Sequence, residues 1–148
     1  MIKRYYEVSA NIGASPDRIW ALLTDAAHYP NWNPTVQKMV GRIGPGETFR
    51  MFLKANPGHS FPVKVTEFRP NERMVWSSAT PLGLIKIVRT CALAPAGPRV
   101  TRFSMREEYS GPMLGMIGKS MPDLGPAFQE FAQSLKRAAE RPIRPAGS

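Results

Sequence analysis

From Thr101 to Tyr109 the chain alternates. Thr101, Phe103, Met105, Glu107 and Tyr109 make one set, and Arg102, Ser104, Arg106 and Glu108 the other. In an extended strand the two sets face opposite sides. The first set is the more apolar and is predicted to face inward, carrying Glu107 and Tyr109 with it. A carboxylate on an apolar face has two readings. It binds a ligand hydroxyl or works as an acid or base, or it forms a structural ion pair with Arg89 or Arg50 on a nearby strand. Arg89 stands in Leu84-Ile85-Lys86-Ile87-Val88-Arg89-Thr90-Cys91, on the same set as Ile85, Ile87 and Cys91. A buried guanidinium requires a partner. That partner is Glu107, or a ligand carboxylate held by two parallel hydrogen bonds. Glu107, Arg89 and Tyr109 are therefore the candidate catalytic residues, for proton transfer or anion stabilisation.

Other reactive types give less. His28 and His59 fall in loop-like contexts, beside Pro30 and Asn56-Pro57-Gly58, and read as surface or structural histidines. Cys91 is the single cysteine, sits in a strand pattern and reads as a small hydrophobe. One cysteine and two histidines make a metal centre unexpected. No Ser-His-Asp order, phosphate loop or paired-carboxylate spacing occurs, and no cofactor is expected.

The elements that must position these residues follow from pattern. Glu7 to Ile12 reads as a strand. Ser15-Pro16-Asp17 signals a helix start, with Ile19, Trp20, Leu22 and Leu23 as its buried face. Asp25 opens a second short helix through Tyr29, stopped by Pro30. Short strands then recur with turn signals between them: Val36 to Val40, Thr48 to Lys54, Phe61 to Phe68, from Met74, Leu84 to Leu93, and Val100 to Tyr109. Ala94-Pro95-Ala96-Gly97-Pro98 reads as the last turn. This is an antiparallel meander rather than a series of βαβ units. Met121, Leu124, Phe128, Phe131 and Leu135 form one stripe of a long C-terminal helix. Pro122 and Gly125-Pro126 imply a kink or a late start, and residues 142–148 a frayed tail.

The chain has 148 residues, 43% hydrophobic and 21% charged, which suits one globular domain. Its net charge is +9, spread evenly: residues 1–74 hold ten basic and six acidic groups, and residues 75–148 ten and five. With no basic tail, helix-turn-helix or aromatic-basic stretch, nucleic acid is not an expected partner. No apolar run reaches the roughly 18–20 residues of a membrane span. The N-terminus has no apolar signal core, so a cytoplasmic location without stable membrane insertion is expected. Monomer and homodimer both stay open.

Strand, two short helices, six strands and a long helix is the order of a curved antiparallel sheet around a C-terminal helix. Here the chain resembles the START-like, or SRPBCC, superfamily and its α+β helix-grip fold. The carrying runs are Ser15 to Asp25, Tyr29-Pro30-Asn31-Trp32-Asn33-Pro34, Val65 to Trp76, Thr101-Arg102-Phe103 and Arg106-Glu107-Glu108-Tyr109-Ser110-Gly111. They look most like the bacterial branch labelled polyketide cyclase/dehydrase-like. The resemblance covers about residues 4–140 of a single domain spanning 1–148. It implies a seven-stranded sheet and a cavity between sheet and helix for a hydrophobic small-molecule ligand, lipid-like or polyketide-like. Relatives with the same Glu-Glu-aromatic-Ser-Gly run often carry histidine where Arg89 and Met105 stand, so this chain lacks two candidate bases.

The candidate cavity residues are Trp76 and Met74 on one strand face, Arg89, Phe103, Met105 and Glu107, then Met116, Met121, Leu124 and Phe128. Trp76 offers a ring and an indole N–H, or is plain core. Trp20 reads as core, and Trp32 as a cap on the barrel end or a part of the pocket. Met113, Met116 and Met121, interleaved with glycines, read as an adaptable lid, as a loosely packed helix start, or as a loop that touches a membrane. Three functions compete: binding of a hydrophobic or amphipathic molecule, catalysis of the cyclase, aromatase or dehydratase kind on a polyketide-like substrate, and an interaction module, which would need a large exposed apolar patch.

Overall fold

The computed structural model describes residues 4–55, 57–117 and 123–142. Met121 and residues 143–148, which hold most of the expected tail, lie outside them. Seven antiparallel strands form one sheet in the order β1-β7-β6-β5-β4-β3-β2. They are β1 (Arg4–Ile12), β2 (Val36–Val40), β3 (Thr48–Leu53), β4 (Ser60–Arg69), β5 (Arg73–Ala79), β6 (Lys86–Gly97) and β7 (Val100–Ser110). The helices are α1 (Pro16–Thr24), α2 (Tyr29–Trp32), α3 (Leu114–Ile117) and α4 (Gly125–Glu140). The chain crosses once, through α1 and α2, from one sheet edge to the other. It then returns by hairpins until β7 pairs with β1.

Ser15 precedes α1 in extended conformation, but its side chain makes no capping bond; Pro16 in the first turn sets the start. Ile19, Trp20 and Leu23 of α1 are buried, as its apolar spacing requires. Pro30 corrects the reading. It does not stop a helix at Tyr29 but lies in the first turn of α2, after a single 3-10 turn at Ala26–His28. A first-turn proline loses no intrahelical hydrogen bond, so either placement satisfies the backbone. The last hairpin also differs. β6 runs through Ala94 and Pro95 to Gly97, with a register shift between Pro95 and Gly97. Proline is tolerated there because residue 95 turns its amide to the same side as Leu93, toward β5, and the β5 ladder ends at Ala92.

α4 begins late, at Gly125, with Pro126 in its first turn. Phe128, Phe131, Ala132, Leu135, Ala138 and Ala139 are buried along it. The ring of Phe131 stacks on Phe103 at 6.1 Å and meets Trp32 edge-on at 5.5 Å. The far end of α4 is fastened to the β1–α1 corner. Arg18 Nε donates to the Ala139 carbonyl at 2.6 Å, and Nη2 to the Arg141 carbonyl at 2.7 Å. The Gly13 amide donates to Glu140 Oε2 at 2.8 Å, and Lys136 Nζ to the Asn11 carbonyl at 2.7 Å. A helix ends with unpaired carbonyls, and Arg18 supplies donors to them. Among the described residues no helix is long and apolar enough to cross a membrane.

Phe131→Ala is expected to cost about 3–5 kcal/mol in urea unfolding, and Arg18→Ala about 1–3 kcal/mol through the lost carbonyl bonds. Unchanged midpoints in both variants would contradict this attachment of α4.

Candidate functional site

α4 packs chiefly on β1, and more lightly on α1 and α2. The concave face of the strands farther from β1 has no such helix against it. The space left is a cavity of about 850 Å³, at the upper end of the roughly 300–1,000 Å³ common for small-molecule sites. Val36, Met39, Met51, Leu53, Phe61 and Val63 form one wall. Trp76, Ile87 and Met105 form the floor, and Leu124, Ala127, Phe128 and Phe131 the side of the helix. Exposed Ala55, Ala79, Thr80 and Pro81 mark its mouth.

β7 buries Thr101, Phe103, Met105, Glu107 and Tyr109 and turns the alternate residues outward. Strand register then fixes the polar groups. Trp76 lies opposite Arg89, Arg89 opposite Glu107, and Glu107 opposite Tyr6. Arg89 Nε donates to Glu107 Oε2 at 2.5 Å, and the Tyr109 hydroxyl donates to Glu107 Oε1. Both carboxylate oxygens are thus engaged. The Arg89 Nη groups make no hydrogen bond within the described residues, though Arg89 lines the cavity. Its guanidinium carbon lies 5.8, 5.3 and 5.4 Å from the ring centroids of Trp76, Phe128 and Phe131. Ring faces attract a cation at this range. Arg50, the other expected partner of Glu107, instead donates to Ser60 Oγ at 2.8 Å on the exposed side.

Burial works against the charged Arg89 side chain, but the Glu107 charge and hydrogen bond raise its pKa on balance. The Tyr109 hydroxyl is pushed up, first by burial and then by the neighbouring Glu107 charge. It stays a hydrogen-bond donor at neutral pH. Burial also pushes the Cys91 thiol up to about 12, which makes it a poor nucleophile.

Of the residues singled out from sequence, Trp76, Arg89, Met105, Glu107, Leu124 and Phe128 line this cavity, as does Tyr109. Met74 and Phe103 do not. Each is 0% exposed, in the core away from the cavity surface. Met116 corrects the reading: it is 75% exposed and off the cavity. It belongs to α3, whose Leu114 takes the buried position instead. Met121 lies outside the described residues. His28 pairs with Asp25 at an exposed site, and His59 is exposed. The Trp76 and Trp32 indole nitrogens are buried without an acceptor. Among the described residues no cluster of three His, Cys, Asp or Glu is arranged to hold a metal. Sequence reading missed the β2 wall, because a bulge between Val36 and Lys38 replaces strict alternation by the spacing Val36, Met39.

A family model described as polyketide cyclase / dehydrase and lipid transport matches residues 4–140. The chain belongs to that family. Solved structures agree on the fold. A truncated norcoclaurine synthase from Thalictrum flavum is 17% identical, with 96% of each chain covered and a TM-score of 0.73. The Zhui aromatase/cyclase from Streptomyces sp. R1128 is 14% identical, with 99% of each chain covered and a TM-score of 0.75. A START superfamily protein from Mycobacterium smegmatis is 17% identical, covers 92% of this chain and 97% of its own, and has a TM-score of 0.67. No curated protein matches the chain. The expected helix-grip architecture, a curled seven-stranded sheet with a C-terminal helix, is thus the one found.

For this member of the polyketide cyclase/dehydrase family the ion pair sets two expectations. Arg89→Gln alone should cost about 3–5 kcal/mol, since it strands a buried carboxylate, whereas Arg89→Gln with Glu107→Gln should recover most of that loss. An undamaged single variant would contradict the pairing. The second concerns pH. A thiol whose folded pKa is raised keeps its proton while the unfolded thiol ionises, so its effect on stability is nil below about pH 9 and grows unfavourable toward 12. Cys91 should therefore resist a thiol reagent at pH 8 until the protein unfolds. Rapid labelling of folded protein would contradict its burial.

Proposed function

We propose that the chain is a single binding domain for a hydrophobic or amphipathic small molecule, lipid-like or polyketide-like. The apolar part of the ligand fills the cavity, and a hydrogen-bond acceptor on it meets the Nη groups of Arg89. One observation carries this reading. The cavity contains an ion pair in which each carboxylate oxygen already accepts a hydrogen bond, while the guanidinium keeps Nη donors without a partner among the described residues. Glu107 fixes the direction of Arg89 through Nε, which leaves the Nη edge for a bidentate acceptor. The three rings around Arg89 exclude water and strengthen such a contact. The same arrangement favours binding over cyclase, aromatase or dehydratase chemistry. Both Glu107 oxygens are already held, by Arg89 and by Tyr109, which makes Glu107 a weaker base, and the Tyr109 hydroxyl is held neutral against it. The family description joins cyclisation to lipid transport, and the lipid side of it fits a cavity whose one carboxylate, among the described lining residues, is paired with Arg89.

Two fluorescent probes of one skeleton test this. Anilinonaphthalene sulfonate carries an anionic acceptor group, and phenylnaphthylamine lacks it. Both should bind. The paired variant Arg89→Gln with Glu107→Gln should weaken the sulfonate about tenfold, the worth of one charge-assisted contact, and change phenylnaphthylamine far less. Met105→Trp, which fills the cavity, should abolish both. Binding of neither probe, or equal loss of both in the paired variant, would contradict the proposal.

A further inference from the structure

We propose that the rim of the cavity mouth docks on an anionic lipid bilayer, with Leu82 and Met116 as the side chains that enter it. Leu82 is 94% exposed and Met116 75%. Leu82 also has φ 63° and ψ 13°, the left-handed region that glycine and asparagine occupy at least cost. A leucine there is unfavourable twice, in backbone conformation and in exposure to water. Nothing among the described residues covers it. Strain held at an exposed position points to a role outside the folded chain.

Leu82 and Met116, one on a loop and the other on the short helix α3, ride on segments joined to each other. The Met113 amide donates to the Leu84 carbonyl at 3.1 Å. Gly111 has φ 122°, and a Cβ there would clash with the same carbonyl oxygen, so the two segments meet backbone to backbone. The Leu82 loop is closed at its base, where the Thr80 amide donates to the Ile85 carbonyl at 3.0 Å and the Ile85 amide to Thr80 Oγ1 at 2.9 Å. Thr80 and Pro81, just before Leu82, line the cavity mouth. Leu82 therefore stands beside the opening, and Met116 lies on the segment hydrogen-bonded to the Leu82 loop.

Charge names the partner. Residues 48–66, 73–106 and 109–117 contain no Asp or Glu, although they hold most of the cavity and its rim. Between the last two, Glu107 is paired with Arg89 and Glu108 with Arg106 on the opposite face of β7. Lys86 and Lys54 are exposed on rim segments, and the Lys86 side chain passes beside Gly83. The whole chain carries +9. Two exposed apolar side chains on segments that themselves carry no acidic residue, with Lys86 beside one of them, match an anionic bilayer surface, where shallow apolar insertion and charge attraction add. A protein partner would need a broader apolar face. The inference does not depend on what fills the cavity, though it gives a poorly water-soluble ligand a direct route in.

Co-sedimentation with vesicles tests it. The protein should bind vesicles of equimolar phosphatidylglycerol and phosphatidylcholine, bind pure phosphatidylcholine several-fold less, and lose binding in molar salt. Leu82→Asn should weaken vesicle binding about tenfold, because the inserted side chain is gone. Its melting temperature should stay equal or rise, since asparagine accepts the left-handed conformation. Met116→Gln and Lys86→Gln should each weaken binding several-fold. Phenylnaphthylamine binding should be unchanged in all three variants, which separates this surface from the cavity. Failure of the native protein to bind the anionic vesicles overturns the inference, as does binding that ignores all three substitutions. A native dimer that Leu82→Asn converts to a monomer in sedimentation velocity would assign these side chains to a copy–copy interface instead.

Discussion

The attachment of α4 at one end of the sheet is the constraint on which the rest depends. Its C-terminal turn is fastened to the β1–α1 corner by Arg18, Gly13 and Asn11. Its aromatic stripe grips Phe103 and Trp32. A straight helix held there cannot also cover the curved strands farther across the sheet. Close packing is reached along β1 and abandoned over the outer strands, so the cavity follows from where the helix is tied. Apolar residues line that space because the same strand alternation that builds the core continues past the edge of the helix.

The Arg89–Glu107 pair is the second consequence. Two charges inside an apolar cavity are costly to desolvate. Three features offset that cost: register places the side chains opposite each other, Tyr109 satisfies the remaining carboxylate oxygen, and three rings face the guanidinium. Hydrophobic residues of similar volume would serve stability as well. What they would not supply is a fixed donor edge in an apolar space. That is why the pair is better explained by recognition than by folding.

Much of this was legible in the sequence. The inward set of β7 showed as plain alternation, because a long strand with one buried face admits a single register. The Glu107–Arg89 contact was one of two options, since alternation gives the face of a residue and not its partner. Pairing is decided by hairpin length, which makes Trp76, Arg89 and Glu107 a row. The β2 wall was hidden by its bulge, and Pro30 by the equivalence of ending and starting a helix. Met116 misled because methionine near glycine suits a lid as well as an exposed turn of helix. Leu82 gave no signal, since a left-handed φ at leucine is a property of the folded backbone.

The most direct measurement is a crystal structure of the protein with anilinonaphthalene sulfonate bound. The expected result is the fused rings between Trp76 and Phe128, the sulfonate within hydrogen-bond distance of the Arg89 Nη groups, and Arg89 Nε still on Glu107. A cavity closed by its own side chains, or a probe held on the surface with Arg89 untouched, would contradict the account.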